Sequence, residues 1–409
     1  MTNNFRRFWI GSAISAGGSA LTALAIPIIA VGQLTATPAQ MGVIFAAATA
    51  SSFLLRLPAA SWADRSERPL AVVFWGQLLS GLLVATVPVL WAFSALTYER
   101  ILVVVAAMGA TGAIVAAFAA PIIPKLVPKD QIATAYGRFS ASRGAADIAG
   151  PALGGTLLQF LAAPLLLVLD ALSFILAAFL TRTVRVTAPG GPDPDSSSTV
   201  ALGEDLWTIF REPFLRRCLV VIGYASLANG AANALLVLFM VRELGQVPLS
   251  VGLVLGTGAV GGMIAGVVIG RIHRDLGIGR TAALAGVLMV VSLAGLPIAQ
   301  PGWSGLAACL FYELAGSFGA VLMVITVVSE IPGRVSSNAI ARAMALANLV
   351  PEIAATIGAL AGGVVASLIS VRFTMWASLG LATLFGLLTI AMTRSRESDK
   401  TRLPGVSRR

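Results

Sequence analysis

Charge, cysteine and histidine are all scarce in this chain of 409 residues. Only 11% of the residues are charged, against roughly 25% in soluble domains, so most of the chain is not shaped for water. The two cysteines, Cys218 and Cys309, both sit in apolar runs, which excludes a disulfide framework. The one histidine, His273, has no Cys or His neighbour, which argues against a metal site. No G-x-x-x-x-G-K-[ST] loop occurs, so no nucleotide-driven mechanism is indicated. No nucleophile–base constellation or metal-ligand cluster is visible, which leaves an enzyme reading unsupported and no metal or cofactor expected. A long polar segment is missing too: the longest stretch outside the apolar runs is a linker of roughly 30 residues. A non-transporting membrane sensor, which needs an added soluble domain, is therefore the weaker class.

What the chain has is apolar length: 57% of it is hydrophobic and its mean hydropathy is +0.90. About 20 apolar residues cross a bilayer, and such runs fall near 8–34, 40–61, 70–93, 99–123, 133–160 and 163–183. A second set falls near 214–241, 248–270, 281–299, 303–328, 338–369 and 372–393. Strands of a membrane barrel would be about ten residues long with period-two alternation, and these runs are neither. Arg6 and Arg7 precede about 25 mostly apolar residues, too many for a signal-peptide core, so the first run is a retained helix. The predicted class is an all-α membrane protein of twelve transmembrane helices.

The net charge of +10 does not indicate nucleic acid, because the basic residues lie in short clusters between apolar runs. Twelve spans put both termini on one side, and that side carries 24 of the 28 Lys and Arg residues, Arg56 counted among them. The other side has Arg100, Arg242 and Arg372, and Arg143 falls within a span. A missed helix would scramble every later loop, so the 24-to-3 split supports the count and, by the positive-inside rule, predicts cytoplasmic termini.

Ala188–Thr199 (APGGPDPDSSST) reads as a flexible linker. It divides the chain into bundles at 1–185 and 214–394, with 186–213 between them and a basic tail at 395–409. Gly203–Arg217 is either a surface helix with Leu206, Trp207, Ile209 and Phe210 on one face or a plain lead-in to the seventh span. The halves echo each other. GPALGG at Gly150–Gly155 recurs as GALAGG at Gly358–Gly363, offset by 208 residues. AASWADRSERP from Ala59 is matched at nearly that offset by GRIHRDLGIGR from Gly270. A repeat of six-helix units is the plan of transporters whose halves move about a central site.

At these residues the chain resembles the major facilitator superfamily. In the segment ASWADRSERP, Asp64, Arg65 and Arg68 match the charged core of that family's loop between helices two and three. Ala60, Glu67 and Pro69 depart from its two glycines and final basic residue. The resemblance implies a latch on the inward side; the bland alternative is a solvated turn. GPALGG (Gly150, Pro151, Gly154, Gly155) is similar to a fifth-helix signature of antiporters, chiefly exporters, with packing as the alternative or additional role. PIIPKLVPKDQ at Pro121–Gln131 and DALSF at Asp170–Phe174 look like the branch with enterobactin-type siderophore exporters and macrolide efflux pumps. The resemblance implies a proton-coupled exporter of a small amphipathic compound (a drug, siderophore or secondary metabolite) in the cell membrane. A monomer is expected. An importer, a facilitator or a lipid flippase on the same fold is the alternative.

Ionisable residues within spans are functional candidates. Asp147 lies near the midplane of the fifth span with Arg143 one turn earlier on the same face. They form either a pair opened by a proton or a permanent structural pair. Glu313 and Glu352 sit near mid-depth with no cation within a turn. Desolvation favours a neutral carboxyl, so each is a candidate proton carrier or partner of a cationic substrate, or else a protonated group bonded to a neighbouring helix. Asn229 and Asn233 share a face of the seventh span and bond either substrate or another helix. Asp170 is shallower and suggests a structural role.

Overall fold

A computed structural model describes residues 2–185, 213–334 and 340–384. The first half contains α1 (Asn3–Gly32), α2 (Pro38–Arg65), α3 (Pro69–Ala92), α4 (Tyr98–Ala119), α5 (Ile132–Leu157) and α6 (Ala163–Arg182). The second half opens with α7 (Pro213–Leu238), which ends in a π-helical turn at Phe239–Glu243. The run Pro248–Leu293 follows, broken at Gly277 into α8 (248–276) and α9 (278–293). Then come α10 (Trp303–Arg334), α11 (Ile340–Leu368) and α12, helical over 371–384. The linker over 186–212, including most of the amphipathic segment, and the tail over 395–409 lie outside the described residues.

Nine helical segments among the described residues are long and apolar enough to cross a bilayer on their own. Twelve spans follow from three further observations. Pro248–Ile298 is a single segment of 51 residues, but Gly277 has φ 74° and ψ 165°, a conformation that favours glycine. The chain folds back there, so α8 and α9 are separate spans. α5 falls short because it carries Arg138, Arg143 and Asp147. α12 is described over only 371–384, within an apolar run that reaches 393 in the sequence. The segment GRIHRDLGIGR, expected as a connecting loop, is thus helical on both sides of Gly277.

The repeat extends to the backbone. Thr35 and Ser94 have φ of 49° and 51°, and Gly245 and Gly302 have φ of 61° and 97°. Thr35 and Gly245 occupy corresponding turns between α1–α2 and α7–α8, and Ser94 and Gly302 those between α3–α4 and α9–α10. Glycine adopts that conformation freely, whereas Thr and Ser do so at a cost. Backbone geometry has been kept where the side chain was not. All four turns lie on the charge-poor side, opposite the N-terminus.

The three arginines on that side are each tied to a carbonyl. Arg242 donates to the Val31 carbonyl at 3.1 Å, Arg372 to that of Ala299 at 3.0 Å, and Arg100 to that of Ala95. Each carbonyl sits at or just past a helix C-terminus, where a cation is favoured by the macrodipole. Arg372 also meets Glu243 at 3.5 Å. The exceptions to the charge split are structural fixtures.

The core reveals the arrangement of the halves. One apolar cluster near the charge-poor side joins Leu24, Ile29, Met41 and Ile44 of the first half to Leu235, Phe239, Val251 and Val254 of the second. Towards the basic side the clusters separate. Phe5, Val73, Phe118 and Ile122 belong to one half, and Leu215, Ile222, Met289 and Val327 to the other. The halves are fused at the charge-poor end and apart at the basic end.

Candidate functional site

Two glycine seams clamp the halves at the charge-poor end. In membranes, small residues allow helices to approach closely enough for van der Waals packing to hold them. On α5, Gly150 faces Ala20 and Gly154 faces Leu24 of α1, so both serve the first half. Gly155 instead faces α8: a Cβ there would lie 2.8 Å from the Pro248 carbonyl oxygen. On α11, Gly358 and Gly362 likewise face Leu227 and Ala231 of α7, and a Cβ on Gly363 would lie 2.8 Å from the Pro38 carbonyl oxygen of α2. Gly252 of α8 would collide with the Pro151 carbonyl, and Gly42 of α2 with that of Ala359. The two motifs thus do one job about a pseudo-two-fold axis: two glycines bind their own half and the third binds the other. The seam then opens. A Cβ on Gly256 would still meet Ile148, but at Gly144, Gly266 and Gly270 it would meet nothing within 4 Å.

The α2–α11 seam carries polar pairs deeper. The Ala39 amide donates to Ser367 Oγ at 2.8 Å, and the hydroxyls of Thr49 and Thr356 lie 2.8 Å apart. Deeper still, Arg56 Nη1 meets Glu352 Oε1 at 2.8 Å. Arg56 is nine residues short of the end of α2, about 13 Å inside at 1.5 Å per residue. Its place among the basic-side loop cations is thereby corrected. Glu352 has no cation within a turn on its own helix, and its cation comes from the other half. The repeat equivalents on the α5–α8 seam are Gly144 and Gly266, so among the described residues the α2–α11 seam alone carries a charge pair.

The remaining candidates divide. Tyr312 of α10 donates to Asn229 Oδ1 at 3.2 Å, and Asn229 Nδ2 donates to the Ala225 carbonyl at 2.8 Å. Asn229 therefore bonds another helix in this conformation. Asn233 is the one exposed residue within 228–240, on a helix that packs on helices of both halves. Glu313 points at Gly258 of α8 and has no hydrogen-bond or ion-pair partner among the described residues. Arg143 and Asp147 are both exposed and form no ion pair among the described residues. Pro151 lacks the amide hydrogen that would bond the Asp147 carbonyl, so that end of α5 offers both a side chain and a backbone acceptor. Asp64 and Arg65 close α2 and Arg68 precedes α3. All three are exposed and unpaired among the described residues.

The cleft at the charge-poor end is held by Arg242 on Val31, which joins α7 to α1. A partly exposed charged hydrogen bond is worth about 1 kcal/mol. Arg242→Gln is expected to raise about five-fold the rate at which an impermeant thiol reagent, supplied from that side, labels a cysteine at position 233. An unchanged rate would show that this contact does not hold that end shut.

Asp170 is fully buried and bonded, with Thr22 Oγ1 donating at 2.5 Å and Ser173 Oγ at 3.2 Å. A Cβ on Gly18 would collide with this group. The DALSF segment thus ties α6 to α1. Asp170→Ala is expected to destabilise the chain by about 1–3 kcal/mol by stranding the buried Thr22 hydroxyl, read as a lower thermal midpoint; Ser173 keeps its bond to the residue 170 carbonyl at 2.8 Å. Sequence reasoning missed Arg56 and Tyr312. A signal existed for Arg56: it is the one cation deep in the second run, at a depth matching that of Glu352.

Two six-helix halves, related by a pseudo-two-fold axis and joined at one end, define the fold of a polytopic membrane transporter. The chain belongs to the Major Facilitator Superfamily, whose family model matches residues 8–350. No curated protein matches the chain significantly. Among solved structures it is similar to a mutant form of the nucleoside transporter NupG, with a TM-score of 0.78 at 14% identity over 95% of this chain and 100% of that one. It is also similar to a bacterial homologue of the iron transporter ferroportin in an inward-facing state, with a TM-score of 0.72 at 18% identity over 96% and 99%. A bacterial homologue of the human lysosomal transporter Spinster, inward-facing and unoccupied, gives a TM-score of 0.72 at 13% identity over 98% and 99%.

Proposed function

We propose that this transporter is a proton-coupled exporter of a small amphipathic compound, a drug, siderophore or secondary metabolite. The observation that carries the reading is the Arg56–Glu352 pair. It bridges the halves where the seams have begun to part, so it must lengthen or break whenever they rock. A carboxylate whose partner sits on the other half is a natural coupling element: a proton taken up by Glu352 releases Arg56 and frees that movement. Units 1–185 and 214–394 rock as bodies, joined by the linker at 186–213, in a monomer with cytoplasmic termini. The cell membrane is the site, and the basic side faces inward under the positive-inside rule. The open end of the cleft then faces the cytoplasm, where an exporter collects its cargo. Asn233, Asp147 and Arg143 face that cleft as substrate contacts, and Glu313 is a second proton carrier. Asp64, Arg65 and Arg68, unpaired with this end open, form the latch of the opposite state. Direction is supported by GPALGG, PIIPKLVPKDQ and DALSF.

The test is efflux of a fluorescent amphiphile from intact cells, with and without a protonophore. Expression is expected to lower dye accumulation, and the protonophore to cancel the effect. Export that persists without a gradient, or dye uptake that rises on expression, would sink the reading.

A further inference from the structure

A second feature lies away from the cleft. α2 and α3 each pack on α4, and between them runs a groove of about 370 Å³, lined by Trp62, Arg68, Trp75, Leu79, Thr111 and Ile114. Both tryptophans and Leu79 are exposed although they lie on membrane-spanning helices. The groove begins at Arg68, at the basic-side end of α3, and reaches Leu79. That is about 16 Å along the helix, or roughly half of a 30 Å hydrocarbon core. Its length is that of one leaflet.

The polar groups of the groove all have one character. The Thr111 hydroxyl is used, accepting from Ser80 at 3.0 Å and donating to the Met108 carbonyl at 3.1 Å. What remains free among the described residues is the Arg68 guanidinium and the two indole N–H groups. All are donors, and no carboxylate lines the groove. The ligand this suits has an apolar tail, ester oxygens at the depth of the indoles and an anionic head at Arg68.

We propose that the groove is a binding site for an anionic phospholipid from the leaflet on the basic side. Its phosphate lies on Arg68, and one acyl chain runs between α2 and α3 towards Leu79. A zwitterionic lipid gains less there, because its own cation competes with Arg68 for the phosphate. One basic residue near a membrane surface favours an anionic lipid by about five-fold.

The test uses the full chain in phosphatidylcholine vesicles containing graded amounts of dibrominated phosphatidylglycerol or dibrominated phosphatidylcholine. Bromine quenches tryptophan fluorescence on contact. A Trp62→Phe/Trp75→Phe variant removes the background of the other five of the seven tryptophans. In the wild-type chain, half-quenching of the Trp62 and Trp75 signal is expected at about a five-fold lower fraction of brominated phosphatidylglycerol than of brominated phosphatidylcholine. Arg68→Gln is expected to erase that preference while leaving quenching by phosphatidylcholine intact, which shows that the groove still meets lipid. Equal quenching by both lipids in the wild-type chain would overturn the proposal. So would a preference that survives Arg68→Gln. Absence of quenching by either lipid would assign the groove to another protein segment and overturn it as well.

Discussion

Gly252→Leu is expected to abolish transport while leaving the chain folded in the membrane. Gly252 faces the Pro151 carbonyl and Gly155 Cα across the α5–α8 seam, with no room for a Cβ. The obstacle is backbone on a helix anchored to α1 by Gly150 and Gly154, so no rotamer change relieves it. Overpacking of this kind costs about 1–3 kcal/mol where neighbours can shift, and more where they cannot. The penalty falls on the state sealed at the charge-poor end and spares the state in which the seam parts. At about 3 kcal/mol the sealed state loses roughly 100-fold in relative population, and a cycle that must visit it stalls. Efflux of the amphiphile should fall about 100-fold, with membrane content within two-fold of wild type. Gly42→Leu, the repeat equivalent, should behave alike. Gly380→Leu serves as the control, because a Cβ there meets nothing within 4 Å. Efflux within three-fold of wild type in Gly252→Leu would mean that the seam does not limit the cycle.

The seam also shows what a sequence can and cannot disclose here. The offset of 208 residues between GPALGG and GALAGG is visible in one dimension and established the two halves. Nothing in one dimension says that Gly155 and Gly363 face the opposite half while their neighbours face their own. That assignment depends on helix rotation, which follows from packing. Span count was legible because lipid demands length and apolarity, and so was a connection between 270 and 281; that it stays helical up to a single turn at Gly277 was not, because the stretch around it is charged and helix-compatible. The i,i+4 relation of Arg143 and Asp147 gave a shared face correctly. It did not give an ion pair, since in an open cleft each group keeps its water and an exposed pair is worth about 0–1 kcal/mol. Arg56 and Glu352 lie 296 residues apart, and only their common depth linked them.

That pair carries the second large effect. Glu352→Gln is expected to eliminate accumulation against a gradient altogether, and the magnitude distinguishes the two roles the pair can have. Its side chains are 44% and 32% exposed, so water screens it, and as a clamp it is worth about 1 kcal/mol. Losing a clamp of that size shifts the balance of states about five-fold and slows export by no more. Losing a proton carrier removes the coupling itself, and the loss is complete at any clamp strength. Arg56→Gln alone leaves a carboxylate in the cleft with its partner gone, and it should impair flux more than the neutral double variant Arg56→Gln/Glu352→Gln does. Such non-additivity is expected of groups in direct contact. The double variant, with two amides of similar shape and no charge, should exchange substrate down its gradient at near wild-type rates and be indifferent to a protonophore. If Glu352→Gln still exports uphill within five-fold of wild type, the pair is a clamp, and the coupling proton must be carried by Glu313 or Asp147.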